Sequence, residues 1–278
     1  MSALLPPQEL RCPAASGAIY HHGAQVVDWT PTGQEPVIWL SQHTKLDSQS
    51  PIRGGIPICW PWFGFGRDAQ MLPQHGFARL VEWRLLKAVT AAETATATYL
   101  LVSRGQAEFD HPYRMTYTVS FGRELVVALT VRNTGDQPFS FEEALHTYLR
   151  VGDARQISIV GLDQVAYSDR SAGADAAAQV QVSDLMVSRE VDRIYHTAGR
   201  LEVLDPVLKR RLVMTRRNSA DVVVWNPWID KAKSMSDFGD DEWQSMVCTE
   251  TANVEANAIE LPPGEEHTMG FTLAVEPL

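Results

Sequence analysis

Apolar and polar residues alternate along much of this chain. In Met115–Phe121 the side chains of Met115, Tyr117, Val119 and Phe121 fall on one side of an extended backbone, and Thr116, Thr118 and Ser120 on the other. That is the pattern of a strand buried on one face. Gly122, Arg123 and Glu124 supply a turn before a second such run, Leu125–Val131, and the residues from Asn133 to Asp136 supply another before Phe139–Phe141. Further strands are predicted at Val37–Leu40, Thr96–Ser103, Gln156–Val160, Arg200–Leu204, Leu208–Thr215, Asp221–Trp225, Gln244–Thr249 and Met269–Val275. Short strands separated by turn residues at this spacing predict an all-β sandwich. Helical periodicity is scarce. Ala172–Gln181 is alanine-rich without an apolar stripe and is predicted to be an exposed loop; Ser188–Tyr195 is predicted as one short helical turn. With no internal repeat, heptad pattern or linker, the 278 residues are expected to form one domain, 1–278.

Composition narrows the function classes. The chain is 45% hydrophobic and 21% charged, as ordinary globular proteins are. Its formal net charge of −10 argues against nonspecific nucleic-acid binding, yet leaves room for a local arginine pocket and an anionic small molecule. Cys12, Cys59 and Cys248 are too few and too widely spaced for a disulfide framework and read as reduced thiols of a cytoplasmic protein. The first seven residues lack the basic and long apolar regions of a signal peptide, and no apolar run approaches the ~20 residues of a membrane span. No membrane partner is expected, and a monomer is compatible with the sequence. The eight histidines form no close-spaced ligand pair, and adjacent His21 and His22 would point to opposite faces of a strand, so no metal is expected.

The densest chemistry lies in PIRGGIPICWPWFG (51–64) and LPQHGFAR (72–79). Proline and glycine at this frequency exclude a regular helix and indicate a structured loop. Arg53 and Arg79 have guanidinium forks that match phosphate oxygens, and Gly54-Gly55 would let backbone N–H groups approach an anion; either arginine alone would serve equally in a surface salt bridge. His75, a lone loop histidine, fits an exposed or structurally hydrogen-bonded role as well as a functional one. His146, in ALHTYL, is predicted on a strand with Ala144 and Tyr148 on its face, where a satisfied core histidine is the plain alternative. Glu250 is read at the end of an apolar strand, either salt-bridged at the rim or aimed into a cavity, where desolvation would raise its pKa into the range of a general base. In DVVVWNPW, Trp225 reads as core, whereas Trp228 fits either a cap or a platform for the C–H face of a sugar. Lys209-Arg210-Arg211 with Arg216-Arg217 reads as a solvated hairpin.

These stretches, with Leu145–Leu149, Glu190–Tyr195, Val224–Phe238 and Cys248–Thr251, occur in order between Pro51 and Thr251. The ordered set resembles the glucose-6-phosphate 1-epimerase (hexose-6-phosphate mutarotase) group of the aldose 1-epimerase family. The resemblance implies a galactose-mutarotase-like β-sandwich, or supersandwich, with few short helices. It implies an isomerase that interconverts α and β anomers of a hexose 6-phosphate, glucose 6-phosphate first among them, without a cofactor. Carried over by position, His146 is the general acid, Glu250 the general base and His75 a second active-site histidine. Arg53, Gln74 and Arg79 grip the sugar phosphate. Asp169 binds sugar hydroxyls, with Asp163 as a competing candidate. One carboxylate and one imidazole suffice for such chemistry. The other readings are a mutarotase of an unphosphorylated aldose or another sugar phosphate, and a carbohydrate- or sugar-phosphate-binding protein without turnover.

Overall fold

The computed structural model describes residues 4–67, 69–103, 109–172 and 178–278. Two large antiparallel sheets, of nine and eight strands, account for most of it, with a three-stranded and a two-stranded sheet at their margins. The alternating segments form the middle of the nine-stranded sheet, where Tyr113–Phe121 pairs with Glu124–Asn133, and Glu124–Asn133 with Glu266–Pro277. In the eight-stranded sheet, Met246–Asn253 lies between Asp221–Asn226 on one side and two short strands, Glu143–Leu145 and Tyr148–Arg150, on the other. Tyr117, Val119, Val127 and Leu129 from one sheet join Leu145, Val222, Val224 and Val247 from the other in a single apolar cluster. Each such side chain contributes on the order of 1.5–3 kcal/mol by leaving water.

The eight-stranded sheet is covered on both faces. Every residue of Asp221–Asn226 and of Met246–Asn253 is buried, which explains why the apolar stretches Val222–Trp225 and Met246–Cys248 within them do not alternate with polar residues. The face away from the shared core is packed by loops that bring Trp39, Phe63, Phe238 and Trp243 against it. The candidate site opens on that face.

Several expectations are corrected. Val37–Leu40 makes only isolated bridges, Ile38 with Leu149 and Leu40 with Gly54. Val191–Tyr195 is a strand and not a helical turn, because it fills the sheet position between Ala166–Asp169 and Asp221–Asn226. Of the predicted loop Ala172–Gln181, residues 173–177 lie outside the described residues, and Gln179–Val180 is an exposed edge strand. Glu250 stands within Met246–Asn253, not at its end. The sole α-helix among the described residues, Trp228–Ser234, was not anticipated. The supposed solvated hairpin buries two arginines: Arg210 donates to the carbonyls of Glu35, Pro36 and Arg150, and Arg216 to those of Thr197, Gly199 and Asp221. A guanidinium with five donors can satisfy several buried carbonyls at once.

Candidate active site

Pairing of Leu145 with Thr251 and of Tyr148 with Cys248 sets a register in which His146 stands opposite Glu250. Ala144, His146 and Tyr148 therefore follow one another along the sheet face that carries Glu250 and Cys248. His146 Nε2 and Glu250 Oε1 lie 3.3 Å apart, and the two residues are 7% and 1% exposed. The imidazole stacks on the Tyr148 ring, with centroids 4.8 Å apart and planes at 15°. Burial, reinforced by the nearby Asp192, pushes the Glu250 carboxyl well above its ordinary value, while Arg170 and Arg79 pull the other way. Burial, together with Arg79 and Arg53, lowers His146 to about 3. The pair thus favours one proton on the carboxyl and a neutral imidazole. Glu250 Oε2 and His146 Nδ1 are buried without a hydrogen-bond partner among the described residues.

His75 reaches the same pocket from the loop, its ring centroid 5.7 Å from that of His146. Two bonds with Gly64 hold it: the His75 N–H donates to the Gly64 carbonyl (2.6 Å), and the Gly64 N–H donates to His75 Nδ1 (3.2 Å). A nitrogen that accepts a backbone N–H carries no proton, so the ring is the neutral Nε2–H tautomer. Burial and the adjacent Arg79 lower its pKa well below the ordinary value, in agreement with that geometry. The loop itself is pinned by Glu142, whose carboxylate accepts the N–H groups of Phe63 and Glu255, and by the Trp62 indole N–H on the Pro73 carbonyl.

Arg53, Gln74 and Arg79 line the same pocket, which has a volume of about 160 Å³. Arg53 is already engaged. Its Nε and one terminal nitrogen each lie 3.2 Å from Asp237 Oδ2, and the other donates to the Tyr148 hydroxyl at 3.1 Å. Burial works against its charge, and Tyr148 and Asp237 more than restore it. Arg79 donates to the Gln74 carbonyl at 2.8 Å, and its Nε is buried and unpartnered among the described residues. Gly54-Gly55 does not present an anion nest: the Gly55 N–H donates to the Trp39 carbonyl, and a Cβ at Gly55 would meet the Val26 carbonyl oxygen at 2.1 Å.

Asp169 and Trp228 are not among the pocket-lining residues. Asp169 pairs in register with Arg193, and Arg193 with Val224, which belongs to the core between the sheets. Its carboxylate therefore lies on the face opposite Glu250, held by Arg193 Nε at 3.2 Å and by Ser171. Asp163 accepts the Ser183 N–H and is likewise off the pocket. Trp228 packs on Trp243, with centroids 4.3 Å apart. Asp192 and Trp225 occupy the pocket face instead, opposite one another in register and next to Cys248. Two cations that sequence reasoning missed, Arg170 and Lys231, complete the lining. Lys231 and Asp192 fall inside the matched stretches Val224–Phe238 and Glu190–Tyr195, which was the available signal.

The family model described as aldose 1-epimerase matches residues 9–274. The chain belongs to the aldose 1-epimerase family. A relative of this epimerase-family chain from Cenchrus ciliaris, named "Putative glucose-6-phosphate 1-epimerase", is 34% identical over 271 residues, covering 93% of this chain and 81% of that one. A protein of the same name from Escherichia coli strain K12 is 32% identical over 242 residues, covering 86% and 80%. The crystal structure of a "putative mutarotase" from Salmonella typhimurium superposes with a TM-score of 0.89 at 28% identity, over 97% of this chain and 90% of that one. The fold of this family member is thus the galactose-mutarotase-like β-sandwich, and aldose epimerase chemistry belongs with it. No helix among the described residues is long and apolar enough to cross a membrane.

Proposed function

We propose that this protein interconverts the α and β anomers of a hexose 6-phosphate, with glucose 6-phosphate as the preferred sugar. The observation that carries the reading is the pairing of Glu250 with His146, 3.3 Å apart in a pocket lined by four cationic side chains. A carboxylate takes the proton of the C1 hydroxyl as the C1–O5 bond breaks, and an imidazolium gives its proton to O5. The open aldehyde turns about C1–C2, and the same steps run backward on its other face. This needs the pair as Glu250 carboxylate and His146 imidazolium, which one proton transfer connects to the neutral form favoured by burial. His75 cannot be the proton donor, since losing its Nε2 proton would leave an anionic ring. It serves as a fixed Nε2–H hydrogen-bond donor to O5, where negative charge develops. Asp192 takes the hydroxyl-binding task assigned by resemblance to Asp169, and Trp225 offers the apolar wall.

The names of the relatives and the cationic lining support a phosphorylated substrate. Coulombic attraction in a half-enclosed pocket is worth more than on an open surface and orients the sugar between acid and base. Three unpaired thiols suit the cytoplasm, where we place the reaction. Anomer-exchange NMR on glucose 6-phosphate and on glucose tests the reading. Catalysed exchange with a preference for the phosphorylated sugar is expected. Saturable binding without exchange would reduce the protein to a sugar-phosphate binder.

A further inference from the structure

We infer that an anion held by Arg53 and Arg79 drives the proton from Glu250 to His146, so that the phosphoryl group of the substrate activates the chemistry as well as anchoring the sugar. The inference rests on the reading of the substrate as a sugar phosphate. The ring opening described above starts from Glu250 as carboxylate and His146 as imidazolium. The resting pair is the reverse, with one proton on the carboxyl and a neutral imidazole. The step between them moves one proton from the Glu250 carboxyl to His146 Nε2, across 3.3 Å. It creates a carboxylate and an imidazolium and leaves the net charge of the pair unchanged. Only a field that differs between the two ends of the pair can favour it.

The pocket supplies such a field. One aromatic ring separates Arg53 from His146: the Tyr148 hydroxyl accepts from Arg53 at 3.1 Å, and the Tyr148 ring stacks on the imidazole with centroids 4.8 Å apart. Burial acts most strongly on both members of the pair. Of the charges, Arg79 and then Arg53 act on His146, whereas Asp192 and Arg170 act on Glu250 ahead of Arg79. The two arginines thus stand at the imidazole end and oppose the arrival of a proton there. A dianion bound to them offsets that opposition, and it acts less on Glu250, whose nearer charges are Asp192 and Arg170. Both arginines can receive it. Arg79 Nε is buried without a partner among the described residues, and the contacts of Arg53 with Asp237 and Tyr148 leave N–H groups of its fork over. Binding energy from a group remote from C1 is thereby realised at the reacting atoms.

The test separates the sugar from its anion. D-Xylose is glucose 6-phosphate without the C6 arm, and phosphite dianion is the probe for the missing group. Exchange NMR on xylose is run at constant ionic strength with native protein, Arg53→Gln and Arg79→Gln, and the rate due to phosphite alone is subtracted. Phosphite should raise kcat for xylose saturably by roughly tenfold, the change in population of the ionised pair that about 1.4 kcal/mol of differential field gives. The gain belongs in kcat because the proton moves after the sugar is bound. Both variants should lose most of the response; thermal melting shows which are folded, and one folded variant suffices. Phosphite that leaves xylose exchange unchanged or slows it overturns the inference, as does a gain confined to KM. Activation undiminished in a folded variant overturns it too, since the anion would then act from elsewhere. Inhibition of glucose 6-phosphate exchange by phosphite keeps the two failures apart: competition without activation refutes the inference and leaves the substrate reading standing. A native protein that exchanges glucose as readily as glucose 6-phosphate refutes the reading itself, and the inference falls with it.

Discussion

Replacing Glu250 by Gln should slow the protein and stabilise it at once. The carboxyl is 1% exposed, and burial with Asp192 raises it well above the ordinary 4.5. As pH rises past 4.5, the unfolded chain releases this proton first, while the folded chain retains it. A raised folded pKa therefore contributes stability that is complete below 4.5 and is lost as pH climbs toward the folded value. The loss runs at up to about 1.4 kcal/mol per pH unit until the pocket carboxyl itself ionises. Glutamine has nearly the same shape and no proton to lose. Glu250→Gln should match native stability at pH 4 within about 1 kcal/mol, the ordinary scale of a point substitution, and exceed it increasingly toward pH 7. Turnover should fall by roughly 10²–10⁴, which adds about 3–5.5 kcal/mol to the barrier. Urea denaturation at pH 4, 5.5 and 7 reads the first effect and exchange NMR the second. A variant with native turnover, or one whose stability difference from native does not change with pH, would refute the assignment of Glu250 as a buried, functional proton acceptor.

Three other outcomes are expected. His146→Ala should also cost roughly 10²–10⁴ in exchange rate while sugar-phosphate binding, read by calorimetry, persists. His75→Gln places an amide N–H near the position of Nε2 and should keep more activity than His75→Ala; equal loss would show that the fixed donor is not what His75 supplies. Exhaustive EDTA treatment should leave turnover intact, as residues able to do the chemistry are acid, base and hydrogen-bond donor; activity that returns only with an added divalent ion would count against this.

How much was legible in the sequence depended on scale. Period two located the strands from Tyr113 to Asn133 within a few residues, because one face of that sheet meets the core and the other meets water. The strands predicted at Asp221–Trp225 and Gln244–Thr249 are also present, as Asp221–Asn226 and Met246–Asn253, but they are covered on both faces, so alternation did not say which side chains face the pocket. It could not distinguish Asp169 from Asp192. Strand side chains alternate, so the face each residue presents is set by cross-strand register, which the chain does not spell out locally. Trp225 is core, as read, and also lines the pocket, whereas Trp228 packs on Trp243 as a cap: the strand ends between them, and a short helix begins at Trp228. Arg210 and Arg216 looked solvated because charge is normally exposed; buried carbonyls drew them in. Arg170 carried no sequence signal, since only the turn after Ala166–Asp169 brings it over Phe63 at the pocket.

His146, in the two-residue break between Glu143–Leu145 and Tyr148–Arg150, and Glu250, on the strand with which both of these pair, belong to a sheet packed on both faces, whereas Gln74 belongs to the loop, Arg79 and Arg170 to single turns and Lys231 to a short helix. Chemistry and choice of substrate are therefore carried by different parts of the chain. Insertions or substitutions in the connecting segments can redraw the rim of the pocket without disturbing a proton path anchored by the register of the sheet on either side of His146. A protein engineer seeking a different sugar would exchange turns and leave the sheet alone, and a lineage could wander among substrates by the same route.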